Sequence, residues 1–262
     1  MRILVTNDDG IDAPGLHSMA SALVAAGYEI TIAAPREERS GSGSSLGTLE
    51  HGAEIAYEER QYDHLDGVKA YSFDAPPAFA VFASCAGAFG APPDLVVSGI
   101  NPGHNTGRMI LNSSTVAAAL TASTLGVRAV AVSCGFPPEH RFDTASAVAV
   151  AVVRWMIEHG APRTVLNVNV PDLDLSELKG VRMAPLAPRG LLGLTFERTS
   201  EVVQLLRYAN TDRLGVGTDS ALVCQGYVAI SPLTAVFSGS VESGVAEDVA
   251  ASLPRPAVVS ES

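Results

Sequence analysis

The first two thirds of the chain alternate short apolar runs rich in β-branched residues with stretches whose apolar residues recur every three or four positions. The short runs lie at residues 3–6, 29–34, 95–98, 127–133 and 164–170. The periodic stretches lie at residues 13–27, 76–89, 114–125 and 144–159, the last with Asp143 as its expected N-cap. The first pattern is typical of buried strands and the second of amphipathic helices. Their alternation predicts an α/β fold, with a mostly parallel sheet and helices on both faces.

The pattern changes beyond about Pro171, where helical periodicity fades. Strand-like runs at residues 202–208 and 221–230 lie between turn residues. We therefore expect a catalytic core over residues 1–175 and a β-rich, hairpin-like extension over residues 176–237. The extension should pack on the core, complete the site and support oligomerisation. Residues 238–262 are small, acidic and punctuated by proline, and we expect part of this tail to be disordered.

Composition and charge exclude several classes of protein. With 262 residues, 47% of them apolar and 17% charged, the chain can bury a full core and is not disordered. The formal net charge of −11 and the absence of a Lys/Arg cluster argue against a nucleic-acid polymer as partner. No apolar run reaches membrane-spanning length, so no membrane partner is expected. The three dispersed cysteines are typical of buried thiols in a reducing compartment, which suggests the cytoplasm.

The candidate chemistry begins directly after the first strand, where Asp8 and Asp9 stand side by side before a glycine. Ligands of parallel α/β sheets collect outside the carboxyl ends of the strands. Two adjacent carboxylates are costly there unless a cation or a proton compensates them. A hard divalent cation is the simplest compensation.

Two further polar loops follow strand ends and add oxygen ligands. The loop after the second strand carries Ser40, and the loop after the strand at 95–98 carries Asn101 and Asn105. Carboxylate, hydroxyl and amide oxygens suit Mg²⁺ or Mn²⁺, with Ca²⁺ as an alternative, and we expect one such cation per subunit. Glycines in both loops would let backbone N–H groups approach a phosphate. The combination of a metal with an anion cradle suggests phosphoryl chemistry.

The residues match a known family at this point. The matching motifs are Asn7-Asp8-Asp9-Gly10, Ala13-Pro14-Gly15, Arg39-Ser40-Gly41, Ser98-Gly99-Ile100-Asn101 with Gly103, Asn105 and Gly107, Thr115-Val116-Ala117, Leu166-Asn167-Val168-Asn169-Val170-Pro171 and Gly217-Thr218-Asp219. In this order they resemble the SurE family of survival-protein phosphatases over roughly residues 1–235. The resemblance implies a Rossmann-like core and a divalent-metal-dependent phosphatase. The expected substrates are small phosphomonoesters, foremost nucleoside 5′- or 3′-monophosphates, and the expected assembly is a homodimer or homotetramer.

Carried over residue by residue, the resemblance implies that Asp8, Asp9, Ser40 and Asn101 bind the metal, with Asp8 and Asp9 catalytic. The residues near the phosphate would be Asn7, Gly41, Ser42, Gly103, Asn105, Ser113, Ser114 and Thr115. One departure concerns residues 112–116, Asn-Ser-Ser-Thr-Val, where family members usually carry Tyr-Ser-Gly-Thr-Val. Because Ser114 adds bulk beside the expected phosphate, two alternatives stay open. One is a phosphatase for an intermediate of specialised metabolism, and the other is a silent nucleotide- or metal-binding homologue.

The mechanism also stays open between two routes. In the first, Asp8 or Asp9 orients or deprotonates a water that attacks phosphorus in line, while Asn105 and backbone N–H groups stabilise the spreading charge. In the second, a carboxylate attacks phosphorus and forms an aspartyl-phosphate.

Overall fold

The computed structural model describes residues 1–136, 140–212 and 214–236. Its strands are β1 (Arg2–Thr6), β2 (Glu29–Pro35), β3 (Tyr57–Arg60), β4 (Lys69–Phe73), β5 (Leu95–Pro102), β6 (Arg128–Cys134), β7 (Val165–Asn169), β8 (Val181–Met183), β9 (Leu192–Arg198), β10 (Val203–Ala209) and β11 (Val228–Leu233). Its α-helices are α1 (Pro14–Ala25), α2 (Pro77–Cys85), α3 (Ser114–Thr124), α4 (Phe142–His159) and α5 (Asp219–Cys224). Within the described ranges, no helix is long and apolar enough to cross a membrane.

The central element is a sheet of nine strands in the order β3-β4-β2-β1-β5-β6-β7-β11-β8. The strands from β4 to β7 in this order are parallel, whereas β3 pairs with β4 and β11 pairs with β7 in antiparallel fashion. The α/β fold with a mostly parallel, Rossmann-like sheet is therefore confirmed. The chain order reverses between β1 and its two neighbours, β2 and β5, which is a topological switch point of the kind where α/β proteins bind ligands.

Two apolar layers cover the two faces of this sheet. Helices α1 and α4 pack on one face, where Ile3, Val5, Leu16 and Val153 belong to one buried cluster. Helices α2 and α3 pack on the other, where Leu4, Val96, Val81 and Val116 belong to a second cluster. Successive strand residues point to opposite faces, so continuous apolar strands fill both layers at once.

The segment after residue 176 divides between the central sheet and a separate hairpin. Strands β8 and β11 join the edge of the nine-stranded sheet, while β9 and β10 form a two-stranded antiparallel sheet of their own. Nothing in the described residues defines a domain boundary at 175, and the expected tail at 238–262 lies outside them.

Three local expectations are wrong. Residues 221–230 are not one strand, because residues 219–224 form α5 before β11 begins. A short apolar run cannot be assigned to helix or strand from periodicity alone. Helix α4 begins at Phe142 after Arg141, so Asp143 lies inside its first turn and is not the N-cap. Cys224 is exposed, although Cys134 is buried.

Candidate active site

The loops with the candidate residues meet at the carboxyl ends of β1, β2 and β5. In the sheet, β1 lies between β2 and β5, and Thr6 is in register with Ser98. Asp8 follows Thr6 by two residues, and Asn101 follows Ser98 by three. The loop after β2 turns back over β1, because the Arg39 N–H donates to the carbonyl of Asp8 at 2.7 Å.

Glycines allow the elements around this edge to approach closely. A Cβ at Gly15, in the first turn of α1, would lie 2.2 Å from the carbonyl oxygen of Ile100. A Cβ at Gly99 would lie 2.2 Å from the carbonyl oxygen of Val132, and Gly99 has a φ of +131°. Because only glycine fits at both positions, α1 and β6 can pack closely against the end of β5 that carries Asn101.

Asp8 is buried and Asp9 is half-buried, with one of its carboxylate oxygens shielded from solvent. Asp8 is only 3% exposed, and its Oδ1 accepts a 2.6 Å hydrogen bond from the Thr115 hydroxyl. Asp9 Oδ2 is buried and has no hydrogen-bond partner among the described residues. In the part of the chain that the structure describes, no lysine or arginine forms an ion pair with either carboxylate. The nearby Arg39 is paired with Asp74 at 2.7 Å.

This burial raises the pKa of both groups. Desolvation is the largest cause for Asp8 and outweighs the Thr115 hydrogen bond, which lowers the pKa. For Asp9, desolvation followed by the negative charge of Asp8 raises the pKa from 3.8 to about 7. Glu38 adds negative charge to both, and sequence reasoning missed this residue. A hard divalent cation would stabilise the ionised form of a carboxylate whose buried oxygen has no partner and whose surroundings are negative.

The remaining metal candidates are placed differently. Asn101 donates from Nδ2 to the Gly103 carbonyl at 2.5 Å, which leaves its Oδ1 free to bind a cation. Ser40 is exposed, and no hydrogen bond among the described residues holds its hydroxyl. Within the described residues, no cluster of three or more His, Cys, Asp or Glu side chains could hold a metal. The residues present therefore fit a hard cation with mixed carboxylate, amide and hydroxyl ligands, and do not fit a soft metal.

The N-terminus of α3 supplies donors for an anion. Ser113 is the N-cap, and its side chain accepts from the Val116 N–H at 3.2 Å. The first two N–H groups of the helix, those of Ser114 and Thr115, have no acceptor within the helix. Because Thr115 also contacts Asp8, these N–H groups lie close to the carboxylate pair, where a phosphate would need them.

Two hydroxyls that were expected to contact the phosphate form hydrogen bonds within the protein. The Thr115 hydroxyl donates to Asp8. The Ser114 hydroxyl donates to the Arg39 carbonyl at 3.0 Å, accepts from the Gly43 N–H at 3.1 Å and lies 3.0 Å from the Ser42 hydroxyl. Ser114 therefore ties the Ser40 loop to α3, a role that the sequence did not indicate.

The other phosphate candidates lie around the same edge. Asn7 donates from Nδ2 to the Gly10 carbonyl, and Gly41 lies in the Ser40 loop. Asn105 donates to the Ser133 hydroxyl at 2.9 Å, while its carbonyl accepts from Asn167 and Asn169 at 2.8 Å each. These contacts fix the turn of residues 103–107 over the ends of β6 and β7.

Asp219, missed as a site residue, holds the same turn from the other side. Its carboxylate accepts from the Gly107 N–H and the Ala187 N–H at 2.8 Å each. His104, in the same turn, has Nε2 2.9 Å from the Val170 carbonyl. A carbonyl only accepts, so Nε2 carries the proton and Nδ1 stays an acceptor. Burial lowers the pKa of His104 to about 4, so the ring is neutral at physiological pH.

Comparison with known proteins agrees with this geometry. The family model described as survival protein SurE matches residues 3–191. The chain belongs to the SurE family. It is 38% identical over 241 residues to the 5′-nucleotidase SurE of Stenotrophomonas maltophilia strain K279a, covering 89% of each chain. It is 36% identical over 246 residues to the 5′-nucleotidase SurE of Carboxydothermus hydrogenoformans, covering 89% of this chain and 90% of that protein.

Solved structures give the same result. The chain is similar to the crystal structure of the SurE protein from Aquifex aeolicus, with a TM-score of 0.77 and 28% identity. The match covers 91% of this chain and 95% of that one. The likeness therefore includes the extension as well as the sheet that carries the site.

Proposed function

We propose that this chain is a divalent-metal-dependent phosphatase that releases phosphate from nucleoside 5′- or 3′-monophosphates. The observation that carries the proposal is the carboxylate pair of buried Asp8 and half-buried Asp9, which lies beside the N-terminus of α3. The buried Asp9 Oδ2 has no hydrogen-bond partner among the described residues. The names of the relatives support a nucleotide over an intermediate of specialised metabolism.

The proposed ligands of the cation are Asp8, Asp9, Ser40 and Asn101. A bound dication would supply Lewis-acid polarisation of a phosphoryl oxygen and compensate the two carboxylates. Mg²⁺ and Mn²⁺ suit these oxygen ligands best, and Ca²⁺ is the alternative.

The two aspartates have different tasks in this proposal. Asp8 is held in place because Thr115 occupies its Oδ1. The Asp9 carboxylate has no side-chain hydrogen bond of this kind among the described residues, so it is the better group to orient an attacking water and accept its proton. The N–H groups of Ser114 and Thr115, with Asn105, would stabilise the charge that spreads over the phosphoryl oxygens. Attack by an aspartate itself is the competing route, and a trapped aspartyl-phosphate would decide for it.

A panel assay tests the proposal. Phosphate release is measured from purine and pyrimidine nucleoside monophosphates with Mn²⁺, with Mg²⁺ and with a chelator. We expect release with metal, none with the chelator, and none from Asp9→Asn. Asp94→Asn is the matched control, because Asp94 accepts from the Arg2 N–H at the opposite end of the sheet. Tight binding of nucleotides without release from any of them would instead favour a non-catalytic binder.

We also propose that the hairpin β9-β10 joins two copies of the chain. Isolated two-stranded sheets are marginal in water, and this one exposes Phe196 at 60% and Leu205 at 48% directly opposite each other. A second copy that covers this apolar pair would stabilise both hairpins.

A further inference from the structure

A cavity of about 320 Å³ lies beside the candidate site, and none of the residues discussed for phosphate hydrolysis needs it. Its walls include His104, Phe136, Asp172, Leu191 and Val223. Leu191 and Val223 belong to a small apolar cluster with Ala184 and Ala229, so part of the wall is apolar. The volume falls in the range of about 300–1,000 Å³ that is typical of small-molecule sites.

The cavity is adjacent to the candidate metal site. A Cβ at Gly103 would lie 2.9 Å from Cε1 of the Phe136 ring, so the ring packs directly on Gly103. The Gly103 carbonyl accepts from Asn101 Nδ2. Phe136 and the proposed ligand Asn101 therefore contact the same residue.

The strand order gives the length of the path from the carboxylates to the cavity. Strands β1, β5, β6 and β7 are consecutive in the sheet. Asp8 follows β1, Phe136 follows β6 and Asp172 follows β7. Neighbouring strands lie about 4.8 Å apart, so the cavity begins two to three strand widths, or about 10–14 Å, from the carboxylates. This span is comparable to the length of a nucleoside monophosphate.

The polar groups of the cavity favour hydrogen-bond donors on its occupant. His104 uses its one N–H on the Val170 carbonyl, which leaves Nδ1 as an acceptor. Asp172 accepts the Arg141 N–H on Oδ1, and among the described residues no hydrogen bond reaches its Oδ2. Phe136 is 40% exposed, and its ring lies edge-on to His104 with centroids 5.7 Å apart. An aromatic ring with two acceptors suits a planar base that carries an amino group.

We infer that this cavity binds the nucleobase of the substrate, with Phe136 as its aromatic contact and Asp172 as the acceptor for an exocyclic amino group. The inference rests on the proposed phosphatase function, whose phosphate site it extends. It makes adenine, which has an amino group, a better occupant than hypoxanthine, which has a carbonyl oxygen at the same position.

The first test is a comparison of KM for AMP and for ribose 5-phosphate, which has no base. Phe136→Ala should raise KM for AMP about tenfold, the loss of one base–aromatic contact, and leave KM for ribose 5-phosphate unchanged. The matched control is Phe82→Ala, because Phe82 is 42% exposed on α2 and does not line the cavity. Equal KM values for AMP in wild type and Phe136→Ala would overturn the inference.

The second test exchanges the acceptor for a donor. Asp172→Asn keeps an oxygen for the Arg141 N–H and presents an NH₂ group in place of Oδ2. The ratio of kcat/KM for AMP over IMP should fall about tenfold, because the hydrogen bond to the amino group is replaced by a mismatch. An unchanged ratio would contradict the role of Asp172.

A third measurement separates failure of this inference from failure of the proposed function. Binding of adenosine to the metal-free protein is measured by titration calorimetry, so it needs neither phosphate nor turnover. If wild type hydrolyses no monophosphate, the proposed function fails, yet adenosine binding that Phe136→Ala weakens still supports the cavity assignment. If phosphate is released but adenosine binds equally well to wild type and variant, the cavity assignment fails alone.

Discussion

The Thr115 hydroxyl donates a 2.6 Å hydrogen bond to Oδ1 of Asp8, and both side chains are buried. This contact lowers the pKa of Asp8 against the effect of burial, so it favours the ionised form that a cation requires. Thr115 also lies in the first turn of α3, where we propose that the phosphate binds. The residue thereby connects Asp8, a proposed metal ligand, to the helix proposed to bind the phosphate.

Replacement of Thr115 by valine tests this connection. Valine keeps the shape but removes the hydroxyl, and a hydrogen bond to a charged group is worth about 1.5–3 kcal/mol. We expect Thr115→Val to weaken Mn²⁺ binding by at least about tenfold, as measured by calorimetric titration. Thr115→Ser retains the hydroxyl and should bind Mn²⁺ as wild type does. Equal Mn²⁺ affinity in the valine variant and wild type would show that the hydrogen bond does not support the metal site.

Ser114 offers a second prediction, since its hydroxyl bonds to three atoms of the Ser40 loop. Ser114→Ala would leave the Gly43 N–H, which is buried, without an acceptor. An unsatisfied buried donor costs about 1–3 kcal/mol, and the loop should loosen before the sheet does. Faster amide hydrogen exchange at residues 39–43 is the expected result. The control is Ser45→Ala in the same loop, because the one hydrogen bond of the Ser45 hydroxyl among the described residues is from the exposed Gly47 N–H. If exchange at residues 39–43 stays slow in Ser114→Ala, the loop is held by other contacts.

The strand ends could be predicted from the sequence because apolar runs mark buried strands and parallel strands end at one edge. The predicted placement of Asp8 and Asn101 at the same edge of the sheet therefore agrees with the structure. The role of Thr115 could not be predicted, because Asp8 and Thr115 are 107 residues apart and no local pattern links them. Asp219 was missed for a similar reason, since the turn that it holds lies 112 residues away.

The assignment of residues 221–230 to one strand failed for a different physical reason. The run Ala221-Leu222-Val223-Cys224 is apolar but too short to show a period. The helix begins at the buried Asp219, whose carboxylate accepts hydrogen bonds from the N–H groups of Ala187 and Gly107. Tertiary contacts of this kind override local propensity.

The hairpin prediction concerns assembly. Phe196 and Leu205 are opposite each other on one face of β9-β10, whereas Gln204 lies on the other face. If two copies meet through the apolar face, Leu205→Lys should shift the protein towards monomer in size-exclusion chromatography with light scattering. Gln204→Lys adds the same charge on the opposite face and should leave the assembly intact. A monomeric wild type, or a Leu205→Lys variant with unchanged mass, would contradict the proposed interface.

The raised pKa of Asp9 predicts how stability without metal depends on pH. The folded pKa is about 7 and the ordinary value is 3.8, so between these values the folded state keeps a proton that the unfolded state has lost. Stability of the metal-free protein should therefore fall as pH rises through this window. The loss is on the order of 2–4 kcal/mol, or roughly 5–10 °C in Tm, because each pKa unit corresponds to about 1.4 kcal/mol.

The variant Asp9→Asn isolates this effect from other titrating groups. His104 acts in the opposite direction, since its pKa is lowered to about 4 and its protonation destabilises the fold as pH falls from about 6.5. That contribution is present in wild type and variant alike, so it cancels in their difference. We expect Asp9→Asn to be more stable than metal-free wild type at pH 8 and to lose the advantage at pH 4, in thermal unfolding with a chelator. Saturating Mn²⁺ should stabilise wild type at pH 8 and leave Asp9→Asn nearly unchanged, because the cation and the proton compensate the same buried oxygen. A difference between the two proteins that does not vary with pH would show that folding does not raise the pKa of Asp9.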